Sequence, residues 1–401
     1  MRRLTTHLLL VWMIIFLMSC SKEKPLSTAY EQIYGDKEGT IADTTLYQPA
    51  GTEQSFSRYV NTGTSTVLTL GKYDNYHTAM YLKFEGLPDS SLIYSAKLTL
   101  TIFSRIGPAD TSYWDVSRQF SANFYHARSD WNDEQAPELY LYEYPFGETP
   151  FQTVTLTSDS TTIIEIDLDT TIVNQWVDSV SPIENHGIWI DSPDAEYLTC
   201  FYSWENQDSD LIPQLKIFYT EGDTVSESPD SSVVYAQIDA SLYLNSETDL
   251  NLNPDLLYIG KGFAFRNFLK FNFDGMDSTT HVSRALLDLF IDESASLRDS
   301  YGASDAILYI VDGDSWEKDV VDESPATTSY SATWVDSMLT FDVTTAVQAW
   351  VGHKIDNYGL LLRSTDEQDP LARIAIHSSA SPADLRPRLK IYYTLPPNQE
   401  F

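Results

Sequence analysis

The chain has 401 residues, 58 acidic and 25 basic, with a formal net charge of −33 and two cysteines. That charge repels phosphate backbones and excludes a general nucleic-acid binder, and two cysteines exclude a disulfide-stapled scaffold. A composition 42% hydrophobic and 13% aromatic argues against disorder, and 25 tyrosines with abundant Thr, Ser and Val favour pleated structure.

In chain order, the N-terminus reads as an address. Arg2 and Arg3 are followed by an apolar run from Leu8 to Met18, too short to cross a bilayer as a mature helix. The run ends in Leu17-Met18-Ser19-Cys20, which resembles the lipobox of bacterial lipoproteins. The resemblance implies that residues 1–19 are a signal peptide, that cleavage precedes Cys20, and that Cys20 carries acyl chains which hold the protein to a membrane. Loss of Arg2 and Arg3 takes the charge from −33 to −35. Cys200 is then the one thiol left, and it reads as a buried residue of the strand Tyr197–Tyr202.

Residues 20–45 are polar and patternless and read as a tether. Two related segments follow, 46–220 and 234–395, separated by an acidic, Ser/Pro-rich stretch at 221–233 and followed by a tail at 396–401. Leu70-Gly71-Lys72 matches Ile259-Gly260-Lys261, Asn185-His186-Gly187 matches Asn357-Tyr358-Gly359, and Pro213-Gln214-Leu215-Lys216 matches Pro387-Arg388-Leu389-Lys390. Phe84 and Phe271 are 187 positions apart, whereas Trp176 and Trp350 are 174 apart. Most of that drift arises between Trp131 and Asp167, where the first copy is longer. A tandem duplication explains the pattern.

Within each copy the pattern has period two, as in Lys97-Leu98-Thr99-Leu100-Thr101-Ile102, which predicts half-buried strands. One segment departs from it. Ile172, Val173, Trp176 and Val177, like Ala346, Val347, Trp350 and Val351, have helical spacing, and Thr345 with Gln348 fits a capping box. The expected fold class is all-β: two tandem jelly-roll β-sandwich domains, each with one short helix whose Trp packs inward.

These repeats resemble the DNRLRE-domain family, which overlaps a family of carbohydrate-binding modules first associated with alginate-active enzymes. The matching elements recur in family order in both copies: an early Gly before a strand ending Lys83-Phe84 or Lys270-Phe271; Ala96, Leu98, Leu100 or Ala285, Leu287, Leu289; Trp131-Asn132-Asp133-Glu134 or Trp316-Glu317-Lys318-Asp319; Asp342-Val343-Thr344 with Val347 and Trp350; Asn357 to Leu360; and a closing Pro-x-Leu-x-Ile-x-Tyr strand. Departures are Asp167-Leu168-Asp169 in the first copy, His186 in place of Tyr358, and the absence in both copies of a second Trp after the Trp-x-Glu element. The resemblance implies a β-sandwich module of a surface or secreted protein, and it leaves the ligand open.

Sugar binding needs aromatic faces flanked by polar groups. Candidates are Trp114, Trp131, Trp204 and the alternating Tyr140, Tyr142 and Tyr144 in the first copy, with Trp316 and Trp334 in the second; a structural role is the alternative reading for each. Acidic loops in equivalent places, Asp191, Asp194 and Glu196 in one copy and Asp366 and Asp369 in the other, are the candidates for a structural calcium, and no other cofactor is expected. No His spacing suits zinc, and no Gly-x-Ser-x-Gly elbow, P-loop or dinucleotide turn is present. The chain is therefore expected to be a non-enzymatic protein of the bacterial cell envelope, lipid-anchored to the outer membrane or cell surface. It would bind a glycan, or else act as a structural or adhesive partner of an envelope protein. The charge of the processed chain disfavours a polyanion and points to a neutral glycan.

Overall fold

A computed structural model describes residues 40–49, 53–108, 118–128, 130, 149–158, 162–178, 181, 183–222, 229–244, 250–297, 306–313 and 329–395. The strands of the first half are β1 (Thr40–Tyr47), β2 (Gln54–Tyr59), β3 (Val67–Tyr73), β4 (Tyr76–Phe84), β5 (Ser91–Ile106), β6 (Arg118–His126), β7 (Gln152–Ser158), β8 (Ile163–Asp167), β9 (Ile188–Asp191), β10 (Leu198–Tyr202) and β11 (Gln214–Glu221), with helix α1 (Thr170–Val177). The second half holds β12 (Asp230–Tyr243), β13 (Leu256–Lys261), β14 (Phe263–Leu269), β15 (His281–Leu297), β16 (Ala306–Ile310), β17 (Ser329–Ser331), β18 (Thr333–Val335), β19 (Met338–Asp342), β20 (Leu360–Ser364), β21 (Ala372–His377) and β22 (Arg388–Leu395), with helix α2 (Thr344–Val351). The fold is all-β and antiparallel, with one eight-residue helix in each repeat among the described residues.

The period-two pattern does what it predicts. In β5, Ala96, Leu98 and Leu100 are buried while Ser95, Lys97 and Thr99 lie on the other face. In β15 the matching Ala285, Leu287 and Leu289 are at 0% exposure. Each such leucine contributes about 2 kcal/mol by leaving water. These side chains centre two separate cores, one drawn from residues 68–236 and one from residues 257–391.

Both helices lie against their repeat's long strand by the same device. Asn174 Oδ1 accepts from Ile93 N (2.7 Å) and Asn174 Nδ2 donates to Ile93 O (3.0 Å). Gln348 Oε1 accepts from Val282 N (2.8 Å) and Gln348 Nε2 donates to Thr280 O (3.3 Å). Gln348 is thus spent on β15, and the capping box expected from Thr345 and Gln348 does not form. Asp342 Oδ1 instead accepts from Thr344 N (3.1 Å), as Asp169 Oδ1 accepts from Thr171 N (2.8 Å) at the start of α1. In both repeats a carboxylate oxygen just ahead of the helix satisfies a first-turn N–H that has no intrahelical partner.

The strand pairing does not follow the linear order of the repeats. β1 runs along β22, with Thr40 opposite Leu395, and β2 runs along β14, with Tyr59 opposite Phe263. Reciprocally, β12 pairs β11, with Asp230 opposite Tyr219, and then β4, with Ala236 opposite Phe84. Each repeat's opening strands therefore complete the other repeat's sheets. In the first half, β12 joins both edges of the path β11-β5-β10-β3-β4 and closes it into a barrel-like sheet. The acidic stretch after β11 consequently connects two neighbouring strands of one ladder.

A third apolar cluster forms the seam between the halves. It joins Val67, Tyr76, Ile106, Leu198 and Cys200 to Tyr258, Phe263, Phe265, Leu297 and Leu371. Arg373 crosses the seam: its Nη2 donates to Asp74 Oδ2 (2.7 Å), and its guanidinium lies 5.6 Å from the Tyr76 ring centre and 5.7 Å from that of Tyr258. Cys200 is fully buried here.

Candidate functional site

Most of the aromatic candidates lie outside the described residues: Trp114, Trp131, Tyr140, Tyr142, Tyr144 and Trp316. Trp334 belongs to β18, with no side-chain placement described. The neighbour of Trp131 is described. Asp130 Oδ1 pairs with the buried Lys83 Nζ (2.5 Å), which also meets Glu85 (3.1 Å). Burial alone pulls the Lys83 ammonium down, and the hydrogen bonds and charges of Asp130 and Glu85 together raise it above its usual range. Trp204 opens a 3₁₀ turn, Trp204–Asn206, that Ser203 caps. Its ring is half-buried, 6.4 Å from that of Tyr235 and tilted by 43°. Its backbone N–H donates to Asp239 Oδ2 (2.9 Å).

The acidic loops are occupied by protein donors. Asp191 is buried and its Oδ1 lies 2.8 Å from His77 Nε2. Asp194 accepts from the N–H and hydroxyl of Ser121, both at 2.8 Å, and Glu196 pairs with Arg118 (3.2 Å). Asp366 accepts from Thr365 Oγ1 (3.1 Å), while Asp369 pairs with Lys261 (3.1 Å). Among the described residues no three acidic, His or Cys side chains are grouped so as to hold a metal ion. The calcium candidates are thus spread over separate partners.

A cleft of about 570 Å³ opens in the second repeat between the segment that follows β14 and the end of α2 with the loop after it, and Pro49, just past β1, forms part of its wall. Its apolar lining includes Trp350, Phe273 and Ile355. Trp350 is 5% exposed, and its ring lies 5.7 Å from that of Phe273, tilted by 35°. Ile355 is 44% exposed at the rim. Helical spacing points Trp350 inward, so that it belongs to the core and lines the cleft at once. Its buried indole N–H has no hydrogen-bond partner among the described residues.

The Asn-x-Gly element of the repeat builds one wall. Asn357 Nδ2 donates to Phe271 O (2.8 Å), and Asn357 Oδ1 accepts from Gly359 N (3.1 Å). In the first repeat Asn185 makes the same two bonds, to Phe84 O (2.8 Å) and from Gly187 N (3.2 Å). The glycine is a backbone requirement. Gly187 has φ +96°, and a Cβ there would sit 2.6 Å from the Tyr81 hydroxyl.

The polar lining comes from Lys270, Asn272, Asp274, His353 and Asp356. Asn272 and Asp274 order each other through an Nδ2 to Oδ2 hydrogen bond (2.6 Å), and Asp356 accepts from Tyr358 (3.2 Å). Two carboxylates, Asp274 and Asp356, against the Lys270 ammonium, with the His353 imidazole counted neutral, give the cleft a formal charge of only −1 within a strongly acidic protein. An aromatic and aliphatic floor with oriented hydrogen-bonding groups at the rim, in this volume range, suits a small uncharged polar ligand. Of its aromatic residues, sequence reading picks out Phe271, as a repeat motif, and Trp350, as core. Phe273 has no aromatic counterpart in the first copy, where the position 187 residues earlier is Gly86, so the duplication gives no signal for it.

No protein-family model matches the chain, and a search of curated proteins finds no match.

Proposed function

We propose that this chain is a lipid-anchored protein of the bacterial cell envelope, held through Cys20 at the outer membrane or cell surface, that binds a neutral glycan without catalysis. The observation that carries the reading is the Trp350–Phe273 cleft, where apolar faces for sugar C–H surfaces meet a polar rim of low net charge. The lipobox-like Leu17-Met18-Ser19-Cys20 supports the anchor, and the DNRLRE-like order of motifs supports carbohydrate-binding jelly-roll modules. The unmatched length of the first repeat, with Tyr140, Tyr142 and Tyr144, offers a second set of aromatic faces.

A glycan array with the full chain tests this reading. Binding to one or more neutral glycans should fall at least about tenfold in Ile355→Asp, which places a charge on the apolar rim, and in Asp274→Ala. Circular dichroism should show both variants folded. Binding that survives both changes removes this cleft as the site. A second reading, a structural or adhesive unit that engages an envelope protein, is favoured by the reciprocal strand exchange, which welds the repeats into a stiff pair. Capture of no glycan by the folded chain would favour it.

A further inference from the structure

From the strand exchange we infer that the anchored protein stands inverted on its membrane: the second repeat lies next to the bilayer and the first repeat is presented outward. This rests on the lipid-anchor reading of Cys20.

The path of the chain carries the inference. Thr40, the first described residue after the anchor, sits opposite Leu395, and Thr394 sits opposite His281. The tether therefore emerges beside the His281 end of β15. The other end of that strand, Leu297, belongs to the seam with the first repeat, where it is opposite Arg373. β15 has 17 residues. Register shifts at Val282/Arg284 and Asp292/Leu297 shorten its run, and at a strand's rise per paired position the tether exit and the seam are about 40 Å apart. The first repeat repeats this geometry beyond the seam. The 16-residue β5 runs from Ser91, opposite Glu221, to Ile106 in the seam. The Glu221 end of β11 and the Asp230 end of β12 are thus at the pole of the first repeat away from the seam.

Nineteen residues separate Cys20 from Thr40. Even fully extended, a stretch of that length reaches at most about 70 Å, less than the roughly 80 Å that two 160-residue sandwiches span end to end. The anchor is thus tied to the His281 pole, and the seam joins the far repeat to the opposite end of the second repeat. Linear order alone would place the first repeat nearest the membrane. The exchange reverses this, so the Trp350 cleft lies in the membrane-proximal repeat, and the Tyr140–Tyr144 segment belongs to the outward one.

Two measurements on the full chain test the inference. Ala42 and Tyr393 are register partners, so Ala42→Cys with Tyr393→Cys should form an intrachain disulfide. Ala42→Cys with Tyr219→Cys, the repeat-equivalent pair, should form none. The reverse outcome returns each arm to its own repeat and overturns the inference. For orientation, the lipidated protein is placed in phosphatidylcholine vesicles containing a headgroup-linked energy acceptor. A donor dye is put on His281→Cys or on Ser231→Cys, both exposed positions, and the buried Cys200 stays unlabelled. Donor emission should be largely lost at position 281 and retained at position 231. Equal loss at both sites, or loss at 231 alone, refutes the inverted stance. If Cys20→Ala leaves the chain in the membrane fraction, the anchor reading fails and takes the stance with it, while the disulfide result still reports separately on the exchange.

Discussion

Removing the guanidinium of Arg373 tests whether the seam is a structural hub. The side chain is 7% exposed. It donates to Ala295 O through Nε (3.3 Å) and Nη2 (3.2 Å), to the Tyr76 hydroxyl (3.4 Å), and to Asp74 Oδ2 (2.7 Å). Arg373→Ala leaves the Tyr76 hydroxyl without this partner inside the seam and frees the Ala295 carbonyl, at about 1 kcal/mol or more each. The ion pair adds no more than about 1 kcal/mol, because Asp74 is 40% exposed and can turn to water. The expected loss is about 3 kcal/mol. Equilibrium urea unfolding, followed by tryptophan fluorescence and by far-UV circular dichroism, measures it. Because each repeat holds strands of the other, both probes should report one transition that moves to lower urea as a unit. A loss under about 1 kcal/mol, or a split in which one half alone is weakened, refutes the reasoning.

Burial pushes the Tyr76 hydroxyl up to about 12, against the lowering pull of Arg373, and burial also raises Tyr243. A tyrosine whose folded value is raised binds its proton more tightly in the native state. Its contribution is therefore complete below pH 10 and is lost as pH climbs from about 10 to about 12, and Tyr76→Phe should flatten that decline in a pH-resolved melting series. Gln348→Ala and Asn174→Ala each release a helix from its long strand and should cost about 1–2 kcal/mol by thermal melting, whereas Gln348→Glu, which cannot donate to Thr280 O, should fall between. Millimolar calcium should leave the melting temperature unchanged, since each of Asp191, Asp194, Glu196, Asp366 and Asp369 already has a protein donor; a rise of several degrees would overturn that expectation.

The strands were legible because a half-buried sheet imposes alternation on its sequence: Lys97-Leu98-Thr99-Leu100 shows its inner face residue by residue. The two helices were legible from spacing that a strand cannot use. The exchange was not. Tyr47 and Tyr235 occupy equivalent ladder positions, opposite Arg388 and Gln214, so either arm suits either acceptor and local pattern cannot choose between them. The cleft was hidden for a different reason. Its walls come from residues 270–276, residues 350–357 and Pro49, three stretches with no shared period. The role of Gln348 shows how a polar helix residue that looks like a cap can be taken up by a neighbouring strand instead.

The pairing of Thr40 with Leu395 also sets an order of events during synthesis. The β1–β2 arm is among the first folded segments made, yet β22 is among the last. Until residue 395 has emerged, the arm has no complete partner and carries an unsatisfied strand edge. The first barrel likewise stays open until β12 appears. Contacts more than 150 residues apart must form before the first core is sealed, and contacts about 350 apart before β1 joins the second half, so maturation should be slow and exposed to mispairing between nascent chains. Once closed, neither half can loosen without withdrawing a strand from the other.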